Sequence, residues 1–206
     1  MKAIMFGYNG NVDMNQFDFD LCFLQRYSKN HLNKLKYQNH YVHNYGERGL
    51  CIVSKDIPLN IQSGQFNDYV VEVEDDCQGQ YWQTLSIGKY KIINSSVSFP
   101  SNEMPTSVYF SQGKQLLDMM DDNTIIVTDL HSEDNDIEED KVLSFKNRNL
   151  KNHLSTFKTY IKNGEMSLDK IITTKNSSIV ISNINVIKCE KETPTGHWPI
   201  SFDIKY

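Results

Sequence analysis

Long hydrophobic runs are missing from this chain of 206 residues: no apolar stretch exceeds six residues, against the roughly 20 needed to span a bilayer as a helix. Cysteine is scarce as well. Cys22, Cys51, Cys77 and Cys189 include no Cys-x-x-Cys pair, which argues against zinc ribbons and dithiol redox motifs, and reduced, buried thiols are the expectation. The five prolines and ten glycines form no low-complexity linker and no internal repeat. Neither Gly-x-x-x-x-Gly-Lys-Ser/Thr nor Gly-x-Gly-x-x-Gly occurs, so the phosphate cradles that those patterns build are absent. Met1–Phe6 meets Gly7 and Asn9-Gly10 at once, leaving no secretory h-region, and a cytoplasmic location is expected.

Positive charge is missing from one stretch altogether. Between Asp118 and Asp140 stand ten carboxylates and no Lys or Arg, whereas the residues beyond 140 carry an excess of cations; the formal net charge of the whole is −5. Segregation of this kind speaks of electrostatics and partners rather than of fold. The expected organisation is a single domain over 1–206 with a long acidic loop near 130–141. Its members Glu133, Asp134, Asp136, Glu138, Glu139 and Asp140 form a candidate docking surface for a basic protein partner. They do not form an EF-hand, because no Gly follows Asp134 and Asp136 and no Glu closes a twelve-residue loop.

Aromatic residues are plentiful, by contrast, in one basic stretch. Over 26–48, Arg26, Lys29, Lys34, Lys36 and Arg48 interleave with Tyr27, Tyr37, Tyr41 and Tyr45. Cations for phosphates and flat rings for bases are what single-stranded nucleic acid requires. Leu150, Leu154, Phe157 and Ile161 recur at helical spacing, so a helix is expected near 149–162, capped by Asn149 and ended by Gly164. Lys151, Lys158 and Lys162 would form a second basic stripe along it. Candidate nucleic-acid contacts are therefore Lys29, Lys34, Lys36, Tyr37, Tyr41, Arg48, Lys151, Lys158 and Lys162. His40-x-x-His43 is a metal half-site without a third ligand at useful spacing, and no metal or cofactor is expected.

Strands are expected at 2–6, 49–54, 68–74 and 124–129, with a hairpin over 81–97 turning near Gly88. The alternation in 178–188 changes phase near Asn183, which signals a bulge, and Ile200, Phe202 and Ile204 alternate into a final half-buried strand. A helix is expected near 112–120. The fold class that follows is α+β, strand-rich and mostly antiparallel, with two or three helices.

The β-branched run Thr124–Thr128 entering Asp129-Leu130-His131 resembles the first metal-binding motif of calcineurin-like metallophosphoesterases, and Gly196-His197 resembles part of their last. That likeness implies a metal-activated water held by an Asp and a His. The Gly-Asp-x-x-Asp and Gly-Asn-His of such enzymes do not occur here, and Trp198-Pro199 stands where the final His belongs, so two metals lack their ligands. With no complete catalytic set, the leading expectation is a non-enzymatic protein–protein interaction protein: an inhibitor, an immunity-type protein or an assembly subunit. Its Asn-, Ile- and Lys-rich composition suggests a phage-like source. The second expectation is a nucleic-acid-binding or nucleic-acid-processing protein. Oligomeric state is not legible.

Overall fold

The computed structural model describes residues 1–7, 12–28, 39–45, 48–57, 60–67, 80–98, 105–133, 137, 143–160, 166–188 and 196–206. Among these residues twelve strands run in the order β1 (Lys2–Gly7), β2 (Leu21–Ser28), β3 (Asn39–Tyr45), β4 (Arg48–Ser54), β5 (Ile61–Gln65), β6 (Tyr81–Ile87), β7 (Tyr90–Ser96), β8 (Thr124–Asp129), β9 (Leu150–Asn152), β10 (Asp169–Thr174), β11 (Val180–Val186) and β12 (Ile200–Lys205). They form two six-stranded sheets, β11-β12-β1-β2-β4-β3 and β5-β6-β7-β8-β10-β9. Both sheets are mixed, because β1–β2 and β7–β8 are parallel pairs while the other pairings are antiparallel. One α-helix, α1 (Thr106–Asp118), is present among the described residues, where two or three were expected.

The sheets stack face to face around an apolar layer built from Ala3, Met5, Leu21, Phe23 and Ile52 of the first sheet and Leu85, Ile92, Ile125, Val127 and Ile171 of the second. Each sheet is also covered on its outer face. Ile4, Phe6, Cys22, Leu24, Cys51 and Val53 pack outside the first sheet with Met14 and Phe19. Tyr109, Leu116 and Leu117 of α1 cover Ile93, Ile126 and Ile172 of the second. Burial on both faces is why Ala3–Phe6, Leu21–Leu24 and Thr124–Asp129 read as unbroken apolar or β-branched runs rather than as alternations. In α1 the buried residues Tyr109, Gln112, Gly113, Leu116 and Leu117 line one side of the helix. Cys22 and Cys51 are free and buried, and Cys77 and Cys189 lie outside the described residues.

The helix expected near 149–162 is not formed. Asn149 takes a left-handed conformation (φ 56°), β9 pairs with β10, and Tyr160 bridges Met166 and His197 as extended chain. The apolar stripe divides between two cores: Leu150 joins the layer under α1, whereas Leu154 and Phe157 face the layer between the sheets. The strands expected at 2–6, 49–54 and 124–129, the 81–97 hairpin and the final strand are all present. The bulge lies between Ser182 and Asn185, with Asn183 at φ 52°. The strand expected at 68–74 lies outside the described residues.

Candidate active site

Following the inward-facing positions along each strand, the sandwich interior changes character from one end to the other. Beyond Phe23 on β2 comes Gln25; beyond Leu85 on β6 in the same parity stands Gln83; beyond Ile92 on β7 come Asn94 and Ser96; beyond Val127 comes Asp129; and Ile171 on β10 is preceded by Asp169. The pairings Ser96↔Asp129 and Asp169↔Asp129 bring these ends to one rim of the second sheet. The first sheet meets it there through Gln25, whose Nε2 donates to Asn94 Oδ1 at 2.8 Å. Asn94 Nδ2 in turn faces Gln83 Oε1 at 3.1 Å and Leu24 O at 3.3 Å. A polar layer joined through Asn94 thus floors the site, with Gln25 Oε1 and Ser96 Oγ in it left without a hydrogen-bond partner among the described residues.

Two carboxylates, Asp129 and Asp169, and two imidazoles, His131 and His197, meet above that floor. Asp129 ends β8, and its Oδ1 accepts a hydrogen bond from the His131 backbone N–H at 3.2 Å, an Asx-type turn that steadies His131 in a left-handed conformation, φ 54°. The Tyr109 hydroxyl of α1, 2.6 Å from Ser132 Oγ, braces the same turn. His197 follows Gly196 (φ 82°), and its ring packs against the end of β1. A Cβ on Gly7 would lie 3.1 Å from His197 Cγ, so the absence of a side chain there makes room for the imidazole. His197 Nδ1 lies 2.9 Å from Asp169 Oδ2 and Nε2 lies 3.4 Å from Asp129 Oδ2, with the Tyr160 ring edge-on at 5.0 Å. Asp129, Asp169 and His197 are all fully enclosed.

Arg26 completes the cluster. An extra residue in β2, where the register slips between Leu24 and Tyr27, places Arg26 at φ 56°. Its Nη2 then lies 3.6 Å from Asp129 Oδ2 and 3.1 Å from His131 Nε2.

The protonation states follow from these distances. Burial, reinforced by Arg26 and His197, pushes His131 down to about 3 despite the attraction of Asp129. The neutral ring fits its neighbours, with Nδ1 3.1 Å from Asp129 Oδ1 and Nε2 as acceptor for Arg26. Burial opposes charge on His197 too, but Asp169 and then Asp129 outweigh it and hold this imidazole above its ordinary value. Burial likewise raises Asp129, yet the surrounding nitrogens prevail and keep it below the usual carboxylate range. With His131 neutral, the charges responsible are His197 and Arg26. Asp129 Oδ2 accepts no hydrogen bond among the described residues, a costly state for a buried oxygen.

One ligand atom each from Asp129, Asp169 and His197 lies within 4.8 Å of the others, so a divalent cation must be considered. The bonding does not suit one. With Asp169 bonded to His197 Nδ1, only His197 Nε2 and Asp129 remain as ligands, and the guanidinium stands 3.6 Å from the oxygen that Asp129 would offer. At ~4 Å and an effective dielectric of ~20, a unit cation repels a divalent ion by about 8 kcal/mol. That cancels the pull of one carboxylate at equal range.

The resemblance read from the sequence thus picked out Asp129, His131 and His197, which the fold brings together; Asp169 belonged to no recognised pattern. Of the acidic run, Glu133 is tied into the structure, its Oε1 accepting from Lys158 Nζ at 3.1 Å and from the Ser167 N–H at 3.2 Å. Asp134, Asp136, Glu138, Glu139 and Asp140 lie outside the described residues, as do Lys29, Lys34, Lys36, Tyr37 and Lys162. Tyr41, His40 and His43 fall on β3 and Arg48 on β4, where the backbone alone is described. The register Ser28↔Arg48 sets Arg48 beyond Arg26 at the site end of the first sheet. Lys151 is exposed on β9 and Lys158 pairs with Glu133; with no helix beneath them, they form no helical stripe.

Two sheets packed in this order, with one covering helix among the described residues, form an α+β sandwich that solved structures share. Solved structures with this arrangement include D. rerio TDP2 complexed with a single-strand DNA product, with a TM-score of 0.71 and 11% identity over 100% of this chain and 99% of that one. The 3′ phosphatase NExo from Neisseria, bound to a product DNA hairpin, has a TM-score of 0.67 and 15% identity, covering 100% of both chains. An endonuclease/exonuclease/phosphatase family protein from Leptotrichia buccalis has a TM-score of 0.65 and 12% identity, again over 100% of both. At these identities the likeness is one of fold. No protein-family model and no curated protein matches the sequence. The neighbours contradict the expectation of a non-enzymatic interaction protein, and with it the inhibitor and immunity-type readings: they are DNA-processing proteins. The basic protein partner expected for the acidic run has no support.

Proposed function

We propose that this chain processes nucleic acid by hydrolysing a phosphoester, at a site made by Asp129, Asp169, His197 and Arg26. The observation that carries this reading is the line Asp169 Oδ2–His197–Asp129 Oδ2, at 2.9 and 3.4 Å, buried at the polar end of a fold shared with DNA-processing proteins. The neighbours' own ligands, a single-strand DNA product and a product DNA hairpin, support DNA as the substrate class.

The residues divide the chemistry in a simple way. Asp169 fixes the His197 ring and stabilises its protonated form, so Nε2–H is available to neutralise a phosphoryl oxygen as negative charge builds there. Asp129, ionised, presents Oδ2 as the base that takes a proton from the attacking water, while the ester P–O bond breaks and the departing oxygen is protonated from solvent. Neutral His131 holds Asp129 in place and shares its Nε2 with Arg26. The expected pH dependence follows: activity requires His197 protonated and Asp129 ionised. It therefore falls as pH rises through the elevated His197 value, above about 6.5, and falls on the acid side below about 4.

The test is turnover of end-labelled single-stranded DNA and of a 3′-phosphorylated DNA hairpin, followed across pH 4–9. Release of product with a decline on the alkaline side is expected. Neither cleavage nor phosphate release from any of these substrates would remove the reading.

A further inference from the structure

Arg26 occupies a conformation that its side chain does nothing to favour. A left-handed backbone is open to Gly and tolerable to Asn or Asp, whose short side chains bond locally, but it is unusual for a long cationic residue. At φ 56° in the β2 bulge, the strain is maintained by the strands on either side, and such outliers concentrate where a side chain must be aimed. Here the aim is inward: Nη2 reaches Asp129 and His131. Arg26 is also where the cluster meets solvent. Its side chain is 22% exposed, against 0% for Asp129, 4% for His131 and 1% for His197. Among the described residues only Nη2 has a partner, so Nη1 and Nε remain as donors on a partly exposed side chain.

Resting on the phosphoester reading above, we propose that Arg26 is the phosphate-binding cation of this site and serves there in place of a divalent metal. Planar guanidinium N–H groups match two phosphate oxygens at once, which a point charge does not. Placed between solvent and the Asp129–His197 pair, Arg26 is the most exposed member of the cluster, and it holds an incoming phosphate within reach of the imidazolium. The same guanidinium repels a divalent ion from Asp129. Phosphate recognition therefore persists when all divalent ions are removed.

Inorganic phosphate is the direct probe, read as a shift in melting temperature over a concentration series with either Mg²⁺ or EDTA present. For the wild-type chain the two series are expected to superimpose. Arg26→Gln is expected to weaken apparent phosphate affinity at least about tenfold in both, the size of a lost charge-assisted pair. Arg26→Lys, which keeps the charge but not the fork, is expected to fall between. Melting in phosphate-free buffer shows whether each variant folds, and if Arg26→Gln does not, the Arg26→Lys series decides. A shift that needs Mg²⁺, a shift that Arg26→Gln retains in full, or no shift in the wild type would overturn the assignment. Because the probe is phosphate alone, an Arg26-dependent shift in EDTA with no DNA turnover would sink the hydrolytic reading and leave this one standing. Mg²⁺-dependent turnover with no shift in EDTA would do the reverse.

Discussion

At the scale of single residues, two positions around His197 make the account testable. Gly7 is needed because a Cβ there would press on the imidazole from 3.1 to 3.3 Å. Gly7→Ala should displace the ring by a few tenths of an ångström and lower kcat on DNA by about tenfold, with little change in melting temperature. Steady-state kinetics beside a thermal melt check it, and an unchanged kcat would mean that the ring position is not limiting. Asp129, His131 and His197 were noticed from residues alone, as a strand end running into Asp-x-His and a distant Gly-His, but only as fragments of a metallophosphoesterase pattern the sequence does not complete, so no catalytic residue was expected. The arginine was not legible as a site residue. It was read as one cation in a basic run, and nothing in Leu24-Gln25-Arg26-Tyr27 announces a left-handed bulge. Asp169 was hidden for a different reason, since Asp-Lys-Ile-Ile reads as an ordinary strand start until its pairing with Asp129 is known.

At the scale of elements, the site exists because inward positions of several strands turn polar at the same end. That pattern is present in the sequence as parity, in Ile125, Val127 and Asp129 or in Ile92 and Asn94, but it gains meaning only once the strand order is set. The expected helix at 149–162 shows the converse failure. Apolar spacing of four and three residues satisfied a helical template, while the actual chain delivers Leu150 and Leu154 to opposite faces of one sheet. Periodicity records which residues are buried, not that one surface buries them. Asn94 offers the element-scale test. It joins β2, β4 and β6 to β7 through Gln25, Leu24 O, Cys51 O and Gln83. Asn94→Ala orphans several of these groups and should cost about 2–4 kcal/mol of unfolding free energy. Urea denaturation measures it; a loss under about 0.5 kcal/mol would show that the polar layer contributes little to joining the sheets.

At the scale of the whole molecule, the buried His131 and His197 and the half-buried His153 shape the pH of greatest stability. His131 is pushed down to about 3 and His153 to about 4, the latter by burial and then by Lys151. Below about pH 6.5 the unfolded chain takes up protons that these folded rings refuse. Their contribution is thus complete above that pH and is lost as pH falls towards 4 and 3. His197 runs the other way: its value is raised, so its contribution is complete below about 6.5 and is lost as pH rises through the folded value. The melting temperature should therefore peak near pH 6–7, and His197→Gln should flatten the alkaline side. A melting temperature constant from pH 4 to 9 would contradict the assigned protonation states. No helix among the described residues is long and apolar enough to cross a membrane. The charge segregation noted in the sequence is carried largely by residues beyond the described site, and the residues that define the site lie outside its densest part.

The central claim is that Asp129 and His197 act together on a phosphoester. The most direct measurement is single-turnover cleavage of end-labelled single-stranded DNA by the wild type, Asp129→Asn and His197→Gln, each verified as folded by its melt. The account predicts cleavage by the wild type and a loss of at least about 100-fold in each variant, the usual worth of a positioned acid or base. Cleavage by both variants at the wild-type rate, or a wild type that leaves the DNA intact, would contradict it.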